Sequence, residues 1–113
     1  MPDPVLRNWR LIPFEGQPTL GVFLGEVTGH PLNDGWIMTS PVQWISDDRS
    51  CARTLSRLYK LEGEFPRDQR LPEKPRNVLF TKLVTHGGVI TIDQWHMFMD
   101  LADRLCGPLP PRR

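Results

Sequence analysis

Proline is the residue that most constrains this chain, because twelve of its 113 residues are proline, about twice the average share. A proline has no backbone N–H to donate and a fixed φ, so it belongs in turns, strand edges and bulges. Apolar residues make up only 39% of the chain. The sequence therefore predicts a modest core with much of the backbone in loops and turns.

Length and charge limit the class of protein. With 113 residues the chain is too short for two cores that fold readily, and we predict a single domain over residues 1–113. The net charge of +1 is unlike the strong basic excess of a dedicated DNA-binding protein. The N-terminus lacks the apolar stretch of a signal peptide, and no apolar run approaches the roughly 18 residues of a membrane span. We expect a cytoplasmic protein without membrane contact.

Alternating apolar residues dominate the first half of the chain. Residues 5–12 form one candidate strand, and residues 19–27, TLGVFLGEV, alternate Leu20, Val22 and Leu24 on one face. Residues 36–46 continue as strand, with Pro41 marking an edge or a bulge. We predict a β-rich core over residues 5–61, a small antiparallel sheet arranged as a meander or a partly open barrel.

The segment at residues 51–61, CARTLSRLYKL, fits two structures. A helix would bury Leu55, Leu58 and Tyr59 at helical spacing. A strand would instead place Cys51, Leu55, Tyr59 and Leu61 on one face. Periodicity alone favours the helix.

The C-terminal third is predicted to be mainly helical. A proline-rich connector at residues 62–76 leads to a C-terminal segment, residues 77–106, which starts with a short helix or strand. Thr91 and Gln94 have the spacing of a capping box before a helix at residues 92–105, which Gly107 ends. An early sheet and a late helix predict an α+β fold in which this helix packs on the sheet.

The run HPLNDG at residues 30–35 has the composition of a turn. Asn33 and Asp34 can bond to the backbone two residues on, and Gly35 can adopt positive φ. No orienting group or pocket marks His30 and Asp34 as an acid–base pair. We therefore interpret His30, Asn33, Asp34 and Gly35 as a structural turn that orients the neighbouring tryptophans.

The order GxVxGHPxxxDGxxxxTSPV, followed by ARTxSRLYxLxG, resembles a group of small uncharacterised bacterial proteins, some of them near mobile elements. The resemblance covers residues 24–63 and carries no known activity. It implies a β-rich core and favours a strand over residues 51–61. The matching residues are Gly25, Val27, Gly29, His30, Pro31, Asp34, Gly35, Thr39, Ser40, Thr54, Ser56, Tyr59 and Leu61.

Residues with catalytic or metal-binding chemistry are scattered. The three histidines and two cysteines lack the close pairs of zinc ligands, and no phosphate-binding glycine loop is present. We therefore predict no enzyme activity, no metal and no cofactor. Cys51 and Cys106 are expected to be reduced thiols, the alternative being a disulfide between them.

One basic stretch, residues 49–60, contains no acid. Tyr59 lies among its cations, and Trp36 and Trp44 precede it in the chain. Such a mixture of cationic and aromatic residues is favoured at interaction hot spots. We predict a non-enzymatic protein that docks on a protein or ribonucleoprotein, such as a phage-type inhibitor of a host defence complex (an anti-CRISPR). The alternative is a nucleic-acid binder that also uses Arg112 and Arg113. The predicted partner-binding residues are Arg49, Arg53, Arg57, Lys60, Tyr59, Trp44 and Trp36.

Overall fold

The computed structural model describes residues 3–13, 21–32, 34–88 and 91–110. The chain forms two compact units, Met1–Pro66 and Arg67–Arg113, which we name the sheet unit and the helical unit. Together they confirm the predicted α+β fold. The elements are β1 (Val5–Ile12), β2 (Val22–Thr28), β3 (Gly35–Met38), β4 (Val42–Ile45), β5 (Cys51–Thr54), β6 (Leu58–Glu64), α1 (Glu73–Gly87) and α2 (Ile92–Leu105).

The six strands form one sheet in the order β3-β2-β1-β6-β5-β4. Two antiparallel meanders, β1–β2–β3 and β4–β5–β6, lie side by side through β1 and β6, which pair in parallel. The sheet is therefore mixed, whereas the sequence predicted an antiparallel one. The reason is the link at residues 39–41, where the chain passes from β3 to β4 without reversing direction.

That link also curls the sheet. The N–H of Thr39 donates to Phe23 O at 2.9 Å, and the N–H of Val42 donates to Gly21 O at 2.7 Å. Gly21 and Val42 form an antiparallel bridge next to the start of β2. Gly21 directly precedes β2, the neighbour of edge strand β3, so the bridge joins β4 at one end of the strand order to β2 near the other end. The sheet is a partly open barrel, one of the two predicted forms, and Pro41 lies at its corner.

Side-chain hydroxyls hold the corner in place. Thr39 is 3% exposed, and its Oγ1 accepts from Phe23 N at 3.0 Å and donates to Ser40 O at 2.9 Å. The fully buried Thr54 donates from Oγ1 to Arg57 O at 3.2 Å, and the N–H of Ser56 donates to Ser40 Oγ at 3.1 Å. Several residues of the resemblance therefore build the corner of the barrel.

The core lies inside the barrel. Trp9 and Phe23 meet edge to face with ring centroids 5.4 Å apart. A bulge at Asn8, which has a φ of 50°, shifts the register of β1 so that both Leu6 and Trp9 point inward. The buried cluster consists of Leu6, Trp9, Phe23, Val27, Val42, Ala52, Tyr59 and Leu61.

The ambiguous segment at residues 51–61 is a β-hairpin. Strand β5 ends at Thr54 and β6 begins at Leu58, with the N–H of Thr54 donating to Arg57 O at 2.9 Å across the turn. The helical interpretation is wrong. The segment is extended, as the strand interpretation predicted, but a turn divides it into two strands. Cys51 and Tyr59 consequently point to opposite faces.

The helical unit contains the helix predicted over residues 92–105, with the same bounds. Thr91 Oγ1 caps it by accepting from Gln94 N at 3.1 Å. Helix α1 starts within the predicted connector. Pro75 does not prevent this, because proline is tolerated in the first turn of a helix. Gly88 ends the helix with a φ of 61°. Within the described residues, neither helix has the length and apolarity needed to cross a membrane. The predictions of a single domain and of α2 packing on the sheet stay predictions.

Candidate interaction surface

The outer face of β4, β5 and β6 presents a row of three side chains. Trp44 pairs with Arg53, and Arg53 pairs with Leu58, so the three residues project from the same face. Trp44 is 49% exposed, Arg53 is exposed and Leu58 is partly exposed. An aromatic ring, a cation and an aliphatic side chain are thus aligned across three strands.

Lys60 lies in a second row on this face, where it pairs with Cys51 and Val5. It lies on the same face of β6 as Leu58, two residues further along, and is exposed. Among the described residues, neither Arg53 nor Lys60 forms an ion pair. We name Trp44, Arg53, Leu58 and Lys60 the outer patch; it combines apolar area with two cations that lack acidic partners in the described chain.

A third row on the same face has different electrostatics. Arg7 lies between Glu62 and Glu26 in register, and its Nε donates to Glu62 Oε1 at 3.2 Å. Trp36 pairs with Glu26 at the end of this row and is partly exposed. Glu62 pairs with Arg7, and Glu26 adds a further acid to the row, so this row adds no net positive charge to the face.

The predicted partner-binding residues are not all together. Tyr59 is 3% exposed and belongs to the core, which leaves no ring face for stacking on a base. Arg49, with a φ of 57°, lies in the β4–β5 turn, and Arg57 lies in the β5–β6 turn. The three arginines are four residues apart, but the two turns interrupt the alternation of the strands, so they do not share one face. Arg112 and Arg113 lie outside the described residues.

The HPLNDG turn has the geometry of a pinned loop. Gly35 has the expected positive φ, 79°. The N–H of Leu32 donates to His30 Nδ1 at 3.0 Å, and the His30 ring stacks on Tyr59 with centroids 6.4 Å apart. Asp34 is exposed, and Asn33 lies outside the described residues. These contacts support the structural role predicted for His30.

His30 is expected to titrate below the ordinary histidine value. Its pKa is lowered from 6.5 because burial disfavours the charged ring and because the charge of Arg57 opposes a second cation. The unfolded chain therefore takes up this proton first as the pH falls. The His30 contribution to the unfolding free energy is complete above pH 6.5 and is lost as the pH drops toward the lowered pKa.

Histidine-selective NMR titration checks this expectation. Arg57→Gln should raise the pKa of His30 only in part, because burial is the larger cause of the shift. A His30 pKa at or above 6.5 in the unaltered protein would contradict the structure.

Sequence reasoning missed Leu58 as a surface residue and the corner hydroxyls as structural groups. No pattern in the sequence marks the turn that sets Leu58 outward, whereas two threonines next to candidate turns were a usable signal. No group of three or more potential metal ligands occurs within the described ranges. Neither cysteine forms a disulfide there; Cys51 is partly exposed and Cys106 is buried.

Comparison of the chain with protein-family models, with curated proteins and with solved structures finds no match.

Proposed function

We propose that this chain is a non-enzymatic interaction protein that docks on a protein or ribonucleoprotein partner through the outer patch. The observation that carries the proposal is the Trp44–Arg53–Leu58 row, aligned across three strands and open to solvent. Lys60 adds a second cation beside it. The barrel closure and the buried core give this surface a rigid base.

The composition of the outer patch supports a protein partner. Tryptophan and arginine are the residues most enriched among interface hot spots, where they are surrounded by contacts that exclude water. Exposed tryptophan is costly to leave in water, and Trp44 keeps about half of its surface there. A partner with an acidic, partly apolar surface would bury Trp44 and pair with Arg53.

The proposed origin is bacterial or from a mobile element, and one form of the function is a phage-type inhibitor of a host defence complex, such as an anti-CRISPR. The small size of the chain and the resemblance of residues 24–63 support this form. An inhibitor of this kind acts by occupying a surface, for which a compact barrel with one cationic–aromatic patch is sufficient.

Nucleic-acid binding is the alternative, since Arg53, Lys60 and Trp44 combine phosphate-binding and stacking groups. Two observations weigh against it. Tyr59 is buried, and the Glu62–Arg7–Glu26 row lies on the same face as the outer patch. Carboxylates close to the cations would repel a phosphate backbone.

The test combines affinity capture with surface variants. Trp44→Ala with Arg53→Glu is expected to abolish recovery of a stoichiometric protein partner from a bacterial lysate, with and without nuclease. Lys82→Glu, at an exposed site on α1, changes the charge by the same amount as Arg53→Glu and should leave recovery unchanged.

Three results would reject docking through the outer patch. They are partner recovery that survives the double variant, loss of every partner after nuclease treatment, and binding that weakens steeply between about 50 and 200 mM salt, as phosphate contacts do.

A further inference from the structure

Arg57 has a buried polar group without a partner. Its Nε is inaccessible to solvent and has no hydrogen-bond partner among the described residues, and Arg57 takes part in no ion pair there. Buried hydrogen-bond donors in native proteins almost always have a partner, so a buried donor without one requires a structural or functional explanation. The residue as a whole is only partly buried, which leaves its other guanidinium donors for a ligand.

The backbone holds this arginine in position. Thr54 Oγ1 accepts from the N–H of Arg57 at 3.3 Å and donates to its carbonyl oxygen at 3.2 Å. Thr54 is itself fully buried. Arg57 therefore extends from a turn that is fixed to the barrel corner, which limits the entropy that a ligand would have to remove.

His30 supplies a second donor beside Arg57. Because its Nδ1 accepts from Leu32 N, the neutral ring carries its proton on Nε2, and that N–H has no partner among the described residues. The stack on Tyr59 fixes the plane of the ring. Tyr59 follows Arg57 by two residues, so the His30 ring stacked on Tyr59 lies near Arg57, whose charge acts on both rings. Among the described residues, no acid contributes to the pKa shift of either ring.

We propose that Arg57 and His30 bind a carboxylate, and that the docking partner presents it from an acidic side chain or a chain terminus. The site offers the guanidinium donors of Arg57 and the Nε2–H of His30, which suit the two oxygens of a carboxylate. The partner's part in this inference rests on the proposed function; the carboxylate site itself does not.

Charge balance favours a carboxylate over a phosphate group. Burial and Arg57 keep His30 neutral near pH 7, so the site carries a single positive charge. A carboxylate compensates that charge, whereas a phosphate dianion would leave a net negative charge in a partly buried site. To balance the charge, a phosphate would have to bind in its singly charged form or bring a proton onto His30, against the lowered pKa of that ring.

Acetate is the probe, titrated into the full chain at pH 7 against chloride at constant ionic strength. The NMR signals of the His30 ring and the Arg57 Nε–H are expected to shift saturably with acetate and not with chloride. Arg57→Gln should remove the saturable shift of His30. Arg104→Gln, which removes an exposed arginine from α2, should retain it.

Absence of a saturable shift would overturn the site, and so would an acetate response that survives Arg57→Gln in a folded protein. Inorganic phosphate, titrated in parallel, would overturn the carboxylate assignment if it bound more tightly than acetate. The titration needs no partner, so its failure is distinct from a failure of capture through the outer patch.

Discussion

Replacing Trp9 by alanine is expected to lower the free energy of unfolding by about 3–5 kcal/mol. Trp9 is 2% exposed, lies in the core of the barrel and packs edge to face on Phe23. Its removal leaves a large cavity between strands that cannot close around it. Because single domains are stable by only about 5–15 kcal/mol, this one change would remove much of the total.

Two variants make the test specific. Trp9→Phe should cost less than Trp9→Ala, because it keeps a ring against Phe23 and because Trp9 Nε1 has no hydrogen-bond partner to lose among the described residues. Trp44→Ala removes the same side chain from the outer patch and should cost less than about 1 kcal/mol. Urea unfolding followed by circular dichroism measures all three. Equal losses for Trp9→Ala and Trp44→Ala would contradict the assignment of inner and outer faces.

The inward position of Trp9 shows which feature of β1 could be predicted from the sequence, the strand, and which could not, the bulge. Strict alternation in VLRNWRLI places Trp9 on the same face as Arg7, which is exposed. The bulge at Asn8 breaks that alternation, and asparagine tolerates the left-handed backbone it requires. The strand was predictable from its apolar residues, but the bulge depends on pairing with β2, which no local pattern encodes.

The turn between β5 and β6 is a second local feature, and it determines which residues form the candidate site. Arg53 and Arg57 are four residues apart and would share a face on a helix or an uninterrupted strand. The turn between β5 and β6 separates them, placing Arg53 on the outer patch and Arg57 beside His30. The cations were therefore found from the sequence, but their division between two surfaces depends on a hairpin that periodicity did not reveal.

The parallel pairing of β1 with β6 could likewise not be predicted from the sequence. It follows from the passage from β3 to β4 without a reversal, at a link that is only three residues long. Pro41 signalled an interruption there, and an interruption normally implies a turn. The long, capped helix α2 was predicted to the residue, because its cap and its periodicity are both local.

Replacing Gly25 by alanine is expected to lower the free energy of unfolding by about 1–3 kcal/mol, the usual cost of overpacking a core. An added Cβ would lie 2.7 Å from Leu6 Cγ and 3.2 Å from Trp9 Cβ. Leu6 is fully buried, so its branch carbon cannot move aside without displacing neighbours. Glycine is required here by the close approach of β2 to side chains of β1.

Gly35 provides a matched control, because an added Cβ there would meet nothing within 4 Å but would occupy a φ of 79°. Its replacement by alanine should cost about 1–2 kcal/mol through backbone strain alone. A double-mutant cycle separates the two causes. Leu6→Ala makes room for a methyl group at residue 25, so Gly25→Ala and Leu6→Ala should couple by about 0.5–3 kcal/mol.

Gly35→Ala and Leu6→Ala should add within about 0.5 kcal/mol, since strain at Gly35 does not depend on the side chain of Leu6. Additive losses in the Gly25 cycle would show that packing against Leu6 is not what requires glycine at that site. Both glycines belong to the residues that resemble the bacterial group. If both expectations hold, Gly25 and Gly35 serve the barrel itself, and the surfaces proposed to bind a partner, the outer patch and the site beside Arg57, are formed by other residues.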